Sequence, residues 1–583
     1  MNIRLPALLA VSLVGLALFA SSADAHGGSY RGPGNPRFGN PLPPGPGGTP
    51  TPGPGGTPTP GPGGTPTGGL GGLPRGGTPA VAEVDWKLWW LYNRDRFLMV
   101  RAAVDDSRTT TPTHGEREDW RSAARAALLA ALDESHPDIS TGAAIALGKA
   151  SAVEAIPKLT AILRSGRSDR TLRESCALAL GMIGRPEVRE TLQTVLFDLE
   201  EPRRLRAFAA IGLGLTRSGA ALPALTRVVR AAKLEDEVRA AGYLALGLTG
   251  DDVATPLLAD AARGKPASLS ANERAAAADG LGRGGDRESI EVLLGLLHDK
   301  NAVVRRGAIL SLGRLGRVTD EAVIDALASA ARTERDRLGR AFAAIALGRT
   351  GSKQAGATLQ DLLEDKDSGL RGFAVLGLAI LGVESQDEET HEKVADFFRR
   401  AIDNRRLNDD RRAAVVTALG ILRDRKSVKA IEKLVTEKGP AYLRGHAAVA
   451  LGMIGDRGTL PVLRETLETE RDPAVLRELA LAVGLLGDSD SVHTLVAMVK
   501  DGKTEYLRGN AALALGRIGG AVAAGAMVEL LGAKDASGPT RGMAAVSLGH
   551  LLDERPMPAL FAVVEDLDYR LNFESFAELL TIL

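Results

Sequence analysis

The sequence predicts an all-α solenoid of about thirteen helix pairs, preceded by a Gly/Pro-rich tail with no core of its own. The first observation is a recurring small-Leu-Gly signature. Its glycine stands at Gly148, Gly181, Gly214, Gly247, Gly282, Gly313, Gly348, Gly420, Gly452, Gly484, Gly516 and Gly549, with Ala379 taking the slot once. The second is the interval between these markers: 33, 33, 33, 35, 31, 35, 31, 41, 32, 32, 32 and 33 residues. A period this regular denotes one supersecondary unit per repeat, each burying its apolar face on its neighbours. The third is composition. A chain of 583 residues is too long for one compact core, and 4% aromatic residues with 68 glycines suit an array better than several globular domains.

Each repeat position has a physical reading. Two residues before the marker every copy carries Ala, Gly or Ser, from Ala146 to Ser547, which predicts a helix pressed against another backbone. The preceding residue is Leu in twelve copies and Val483 in the other, the main apolar knob. A glycine inside a helix costs up to about 1 kcal/mol relative to alanine, and Ala379 tolerates a side chain. Close packing therefore explains the marker better than a forced positive φ. Three residues on, glycine recurs in nine copies, including Gly184, Gly250, Gly316 and Gly519, and suits the left-handed residue that closes a helix. An apolar-periodic first helix follows, as in residues 151–163 and 458–467. Two helices per period give an all-α stack.

Eight residues before the marker stands an arginine in eleven of thirteen copies: Arg173, Arg206, Arg239, Arg274, Arg305, Arg340, Arg371, Arg412, Arg444, Arg508 and Arg541. A charge repeated in every unit reads as structure, capping helix carbonyls and pairing with acidic residues such as Asp169, Glu237, Glu273, Asp410 and Glu505. Anion binding along the ladder is the functional alternative.

The N-terminal quarter is built differently. Residues 1–25 read as a signal peptide: Arg4, an apolar stretch from Pro6 to Ala20, then Ala23-Asp24-Ala25 before His26. Residues 26–80 repeat GPGGTPTP and form a tether that cannot build a core. Residues 81–133 hold all four tryptophans. Trp86, Trp89, Trp90 and Asn93 fall at helical spacing, so this segment is expected to cap the open apolar end of the solenoid. The competing reading makes Trp86, Trp89, Trp90, Tyr92 and Phe97 a partner-docking patch.

These residues resemble the bacterial HEAT-like repeats first named for phycobilisome lyases, over roughly 134–583. The resemblance implies an α-solenoid with a binding or scaffolding role. Two enzyme types share the repeat. A deoxyhypusine-hydroxylase-like di-iron site would need four His-Glu pairs, and His391-Glu392 is the single one. A lyase-like role would require a cytoplasmic chromoprotein, against the export signal.

No catalytic arrangement stands out, and no two of the eight histidines have the i, i+4 spacing of a helical metal site. Cys176 occupies a slot that is Ala in most repeats. After cleavage His26 would offer amine and imidazole to copper, a long shot on a Gly/Pro tail; otherwise no metal or cofactor is expected. Lys plus Arg equals Asp plus Glu at 72 each, so no global field attracts nucleic acid. Once the signal is cleaved no membrane span is expected. The 41-residue interval marks an insertion at 383–410, expected to be a lengthened first helix with Val394, Phe397, Phe398 and Ile402 inward. The sequence thus reads as an exported, non-catalytic protein-binding scaffold, at the periplasm, cell surface or outside the cell. An enzyme or enzyme-associated subunit of the lyase or hydroxylase type is the alternative.

Overall fold

The computed structural model describes residues 85–98, 114–553 apart from 285, 286 and 405, and Val563. The signal segment, His26 and the 26–80 tail lie outside the described residues, as does the Tyr92 side chain. A short helix α1 (Trp86–Asn93) comes first. Thirteen pairs follow. Their first members are α2 (His114–Ala131), α4 (Ile156–Arg164), α6 (Val188–Phe197), α8 (Leu222–Arg230), α10 (Thr255–Ala262), α12 (Ser289–Leu296), α14 (Glu321–Thr333), α16 (Lys353–Leu362), α18 (Glu388–Ile402), α20 (Val428–Thr436), α22 (Leu460–Thr469), α24 (Val492–Asp501) and α26 (Gly520–Gly532). Their second members are α3 (Pro137–Lys149), α5 (Arg170–Ile183), α7 (Arg203–Leu215), α9 (Asp236–Thr249), α11 (Ala271–Gly284), α13 (Ala302–Leu315), α15 (Arg337–Thr350), α17 (Ser368–Glu384), α19 (Asp409–Ile421), α21 (Ala441–Ile454), α23 (Pro473–Leu485), α25 (Glu505–Ile518) and α27 (Gly538–Leu552).

Second helices pack closely on one another from pair to pair, while first helices touch their neighbours far less. The reason is the marker. A Cβ added at Gly148 would stand 2.7 Å from Ala179 Cα, at Gly214 2.7 Å from Ala245 Cα, and at Gly313 2.7 Å from Ala346 Cα. Each marker glycine thus abuts the small residue two before the next marker, as the sequence led us to expect. The layer with the shorter spacing must lie on the inside of the curve, so the second helices form the concave wall.

That curvature closes the array on itself. α27 packs along α3, and α26 along α2. The seam repeats the rule of every other junction: a Cβ at Gly549 would lie 2.7 Å from Ala146 Cα. Among the described residues the solenoid is a thirteen-pair ring whose first and last pairs meet, leaving no open apolar end for the expected terminal cap to cover. The first pair also begins at His114, inside the 81–133 segment set apart by the sequence, with Trp120 on its outer helix.

The arginine ladder follows the same closure. Arg173 Nε donates to Leu163 O at 2.9 Å, Arg206 Nε to Leu196 O at 3.2 Å and Arg340 Nε to Ala331 O at 3.0 Å. These carbonyls end the outer helix of the same pair, where the helix dipole favours a cation. The other guanidinium nitrogens reach the interhelical loop of the next pair, Arg206 to Glu235 at 3.1 Å and Arg340 to Asp365 at 2.6 Å. Arg239 finds Glu273 at 2.6 Å, and Arg305 finds Glu334 at 2.7 and 2.8 Å. Arg274 and Arg444 pair with Asp299 and Glu470, while Arg371 and Arg508 donate to the carbonyls of Asp365 and Gly502. Arg412 meets Asp409 within its own helix at 3.3 Å. Arg541 completes the circle, donating to Leu531 O at 2.8 Å and to Glu134 of the first pair at 2.5 Å. The acidic residues expected as partners divide their labour: Asp169 caps its own helix and Asp410 turns to α1.

Helix closure is left-handed at Gly184, Gly250, Gly351 and Gly455. Gly519 has φ 75° but an extended ψ, and Gly316 departs from the expectation with φ −60°. Where the slot lacks glycine the backbone still turns left, at Ser151 (φ 49°), Arg217 (φ 48°) and Arg423 (φ 53°). Ser151 and Arg217 are exposed, so Ser151→Gly and Arg217→Gly are each expected to raise stability by about 1 kcal/mol in chemical denaturation. A loss in both variants would contradict this account of the turn.

The insertion becomes α18, longer than its neighbours. Phe398 and Ile402 are buried and Val394 is partly so, as expected. Phe397 is not; it stands 40% exposed, edge-on to Phe398, because its register faces away from α19.

Candidate functional site: the inner wall

One helical turn fixes which residues look into the ring. At 100° per residue, the marker faces the next pair and the small residue two before it faces the previous pair. The Leu knob and ladder Arg point to the outer helix. The remaining face carries the positions ten, six and three before the marker and one after it.

α1 lies on this face, across pairs eight to eleven. Trp86 Nε1 donates to Asp410 Oδ2 at 3.2 Å, and its ring sits 5.2 Å from that of His446. Gly372 leaves the space that the Trp86 ring occupies; an added Cβ there would collide with the indole. Trp89 meets Phe373 edge-on at 6.2 Å, and Trp90 stacks on Phe97 at 5.6 Å. Lys87 pairs with Asp410, Arg96 with Glu384 at 2.6 Å, and Arg94 with Glu478 at 3.1 Å. Asp85 caps the helix by accepting from the Lys87 amide at 2.9 Å. Trp86, Trp89 and Trp90 are 1%, 0% and 3% exposed. They are turned to the chain's own wall, so neither the end-cap nor the free docking patch describes them. The i, i+3, i+4 spacing was legible; its receptor was not, because Gly372, Phe373, Asp410, His446 and Glu478 come from four different pairs.

The electrostatics of this seat are strongly perturbed. Burial pushes the Glu478 carboxyl up, but Arg477, Arg94 and His446 outweigh it and hold the group at about 2. For His446, burial comes first and Arg94, Lys87 and Arg477 add to it against the pull of Glu478, bringing the imidazole down to about 4. Its Nδ1 lies 2.9 Å from the Thr417 hydroxyl. The folded chain therefore keeps His446 neutral where the unfolded chain, near 6.5, has taken a proton. Stability is expected to fall as pH drops from 6.5 towards 4, by about 2 kcal/mol after allowance for the partly solvated ring. Glu478 adds little until pH nears its ordinary value of 4.5, where the unfolded carboxyl takes up a proton that the folded one refuses, and from there it adds to the same loss. Urea titrations at pH 7 and 4.5 read the difference, and its persistence undiminished in His446→Gln would exclude this histidine as the cause.

The remaining sequence candidates fall to structural contacts. His391 Nε2 lies 2.9 Å from Leu422 O, and Glu392 accepts from Arg399 and Lys426, each at 2.6 Å. Cys176 is fully buried, and burial pushes its thiol far above the usual range. Among the described residues no three His, Cys, Asp or Glu side chains are grouped so as to hold a metal ion, and no helix is long and apolar enough to cross a membrane.

On the outside, an open groove of about 650 Å³ runs between α12 and α14. Ile290, Leu294 and Val323 form its floor, and Glu291, Glu321 and the Arg287–Asp320 pair its rim. A smaller recess of about 310 Å³ lies beside it at the turns after pairs six to eight, lined in part by Val318, Lys353 and Ser385.

The helix-pair ring with its glycine-marked wall is a HEAT-repeat architecture, and comparison with known families agrees. The HEAT-repeats model matches residues 267–341, 324–414, 405–480 and 465–549, and the PBS lyase HEAT-like repeat model matches 172–198. The chain belongs to the HEAT-repeat proteins. No curated protein sequence matches it. Among solved structures, a mutant of Kap121p is 13% identical, with 76% of this chain and 55% of that one covered at a TM-score of 0.34. Kap121p bound to Pho4p is 14% identical, covering 74% and 54% at 0.32. Human deoxyhypusine hydroxylase in complex with glycerol is 17% identical, covering 57% and 96% at 0.21. The chain thus spans about half the length of Kap121p, and the likeness extends to repeat architecture alone.

Proposed function

We propose that this protein is an exported, non-catalytic scaffold that binds a protein partner on the outer face of pairs six to nine. The observation that carries this is the convergence of surface features there. The apolar-floored groove between α12 and α14, the recess at the turns and the outward Phe397 of α18 occupy consecutive pairs, with Val318 and Val383 half exposed nearby. Apolar side chains rimmed by charge are the usual make-up of a docking surface. Glu291 and Glu321 on the rim favour a partner segment that combines apolar and basic residues. The signal-like residues 1–25 support export, and the 26–80 tether would set the reach of the ring from its point of attachment.

Affinity capture from the exported fraction tests this reading. A specific partner is expected with the native chain, and its recovery should fall at least ten-fold with Phe397→Ser plus Val318→Ser, both surface changes. Equal recovery would remove this face from the binding role. Mass analysis of the native N-terminus should find His26; a protein retained in the cytoplasm with residue 1 intact would end the export reading.

A further inference from the structure

The seat of α1 has features that the repeat itself does not need. Glycine stands seven residues before the marker in pairs eight, ten, twelve and thirteen. At Gly445, Gly509 and Gly542 an added Cβ would meet Glu478, Met543 and the Asp138 backbone, each on the next inner helix, so these glycines serve stacking. At Gly372 the nearest atoms all belong to Trp86. This glycine makes room for one incoming indole. The carboxylates divide in the same way. Glu235, Glu334 and Asp365 take ladder arginines, whereas Glu384, Asp410 and Glu478 take Arg96, Lys87 and Arg94 of the α1 segment.

α1 in turn has the character of a bound peptide. It is eight residues long, and isolated helices shorter than about 12–15 residues are marginal in water, so the wall holds it helical. It meets that wall through tryptophan and arginine, the residue types that dominate binding hot spots. One end of the seat opens to solvent. The side chains of Lys87 and Asp410 are 39% and 37% exposed there. Lys87 Nζ stands 5.8 Å from the ring centroid of Tyr442, itself 42% exposed.

We infer that this stretch of inner wall, across pairs eight to eleven, is a helix-recognition groove in which α1 is the resident occupant and a partner helix of the same pattern the competitor. The pattern is aromatic at i and i+3, for the Gly372 notch and the Phe373 ring. It is cationic at i+1, i+8 and i+10, for Asp410, Glu478 and Glu384. Three carboxylates on the wall exclude an acidic helix, and the notch excludes one without an aromatic ring at its start. A partner cannot bind while α1 is seated, so the chain screens its own groove. This inner site does not rest on the outer-face reading above.

Fluorine NMR on the full chain tests the inference, with 5-fluorotryptophan in place of tryptophan and a synthetic peptide of residues 85–98, carrying ordinary tryptophan, as the probe. A segment held in the same chain competes at an effective concentration on the order of millimolar. Millimolar peptide should therefore move the Trp86, Trp89 and Trp90 resonances and leave that of Trp120 in place. Lys87→Glu in the chain, at the exposed end of the seat, should lower the peptide needed at least ten-fold. A peptide carrying both Lys87→Glu and Arg94→Glu should be needed at no less than ten-fold higher concentration. Resonances that stay unmoved in the native chain overturn the proposal, and so does equal displacement by the charge-reversed peptide. If the three resonances move when the native chain alone is concentrated, with dimers in light scattering, the competitor is a second copy and the external partner falls. Should Lys87→Glu fail to fold, the native-chain titration with the two peptides decides.

Discussion

Gly549→Leu is expected to open the ring at its seam. The Cβ alone would stand 2.7 Å from Ala146 Cα and 2.8 Å from its Cβ, and the rest of the side chain has nowhere to go between two helices in backbone contact. Overpacking of a tight interface costs about 1–3 kcal/mol where neighbours can shift. Here the obstacle is backbone, so a loss above ~4 kcal/mol is expected. The shape should change as well. With the seam between α27 and α3 parted, the end pairs are free to fray as in an open array, and the radius of gyration in X-ray scattering should rise. Gly525→Ala is the control: nothing lies within 4 Å of an added Cβ on outer helix α26, and helix propensity predicts a gain of about 0.5–1 kcal/mol. A Gly549→Leu protein with unchanged melting and unchanged radius would mean that the two ends do not meet in solution.

The second large effect is expected at the buried pair under α1. The side chains of Arg94 and Glu478 are 5% and 9% exposed, so Glu478→Ala would leave a guanidinium without its partner in a dry setting. Breaking such a pair costs roughly 3–5 kcal/mol. Trp89→Ala, which empties a fully buried ring site, should cost a similar ~3–5 kcal/mol. The readout separates local from global damage. Three of the four tryptophans lie on α1, so release of α1 shifts the emission to longer wavelength before the helical signal is lost. Replacing both charges, as Arg94→Met with Glu478→Leu, should recover most of the loss, since an apolar pair carries no desolvation penalty. Failure of the double variant to recover would assign the cost to packing instead.

The seat of α1 shows what sequence could and could not reveal. Trp86, Trp89 and Trp90 at helical spacing announced an amphipathic helix, and their concentration outside the repeats announced that it was special. Gly372, His446 and Glu478 carry no signal of their own in the sequence. They become one site only because adjacent pairs present the same face to the same space. Phe397 went the other way: a helical period fitted four inward residues, and the actual rotation of α18 left one of them outside.

The repeat length, the helix-pair unit, the glycine-to-small contact and the arginine ladder were all determined by the sequence, because each is a local relation within one pair or between neighbours. Ring closure was decided only by the tertiary structure. It depends on the sum of thirteen small rotations, which no single repeat encodes and which Gly549 and Arg541 express in the same letters as every other junction. With closure came the meeting of the first and last described pairs and the seating of α1 on the inner wall.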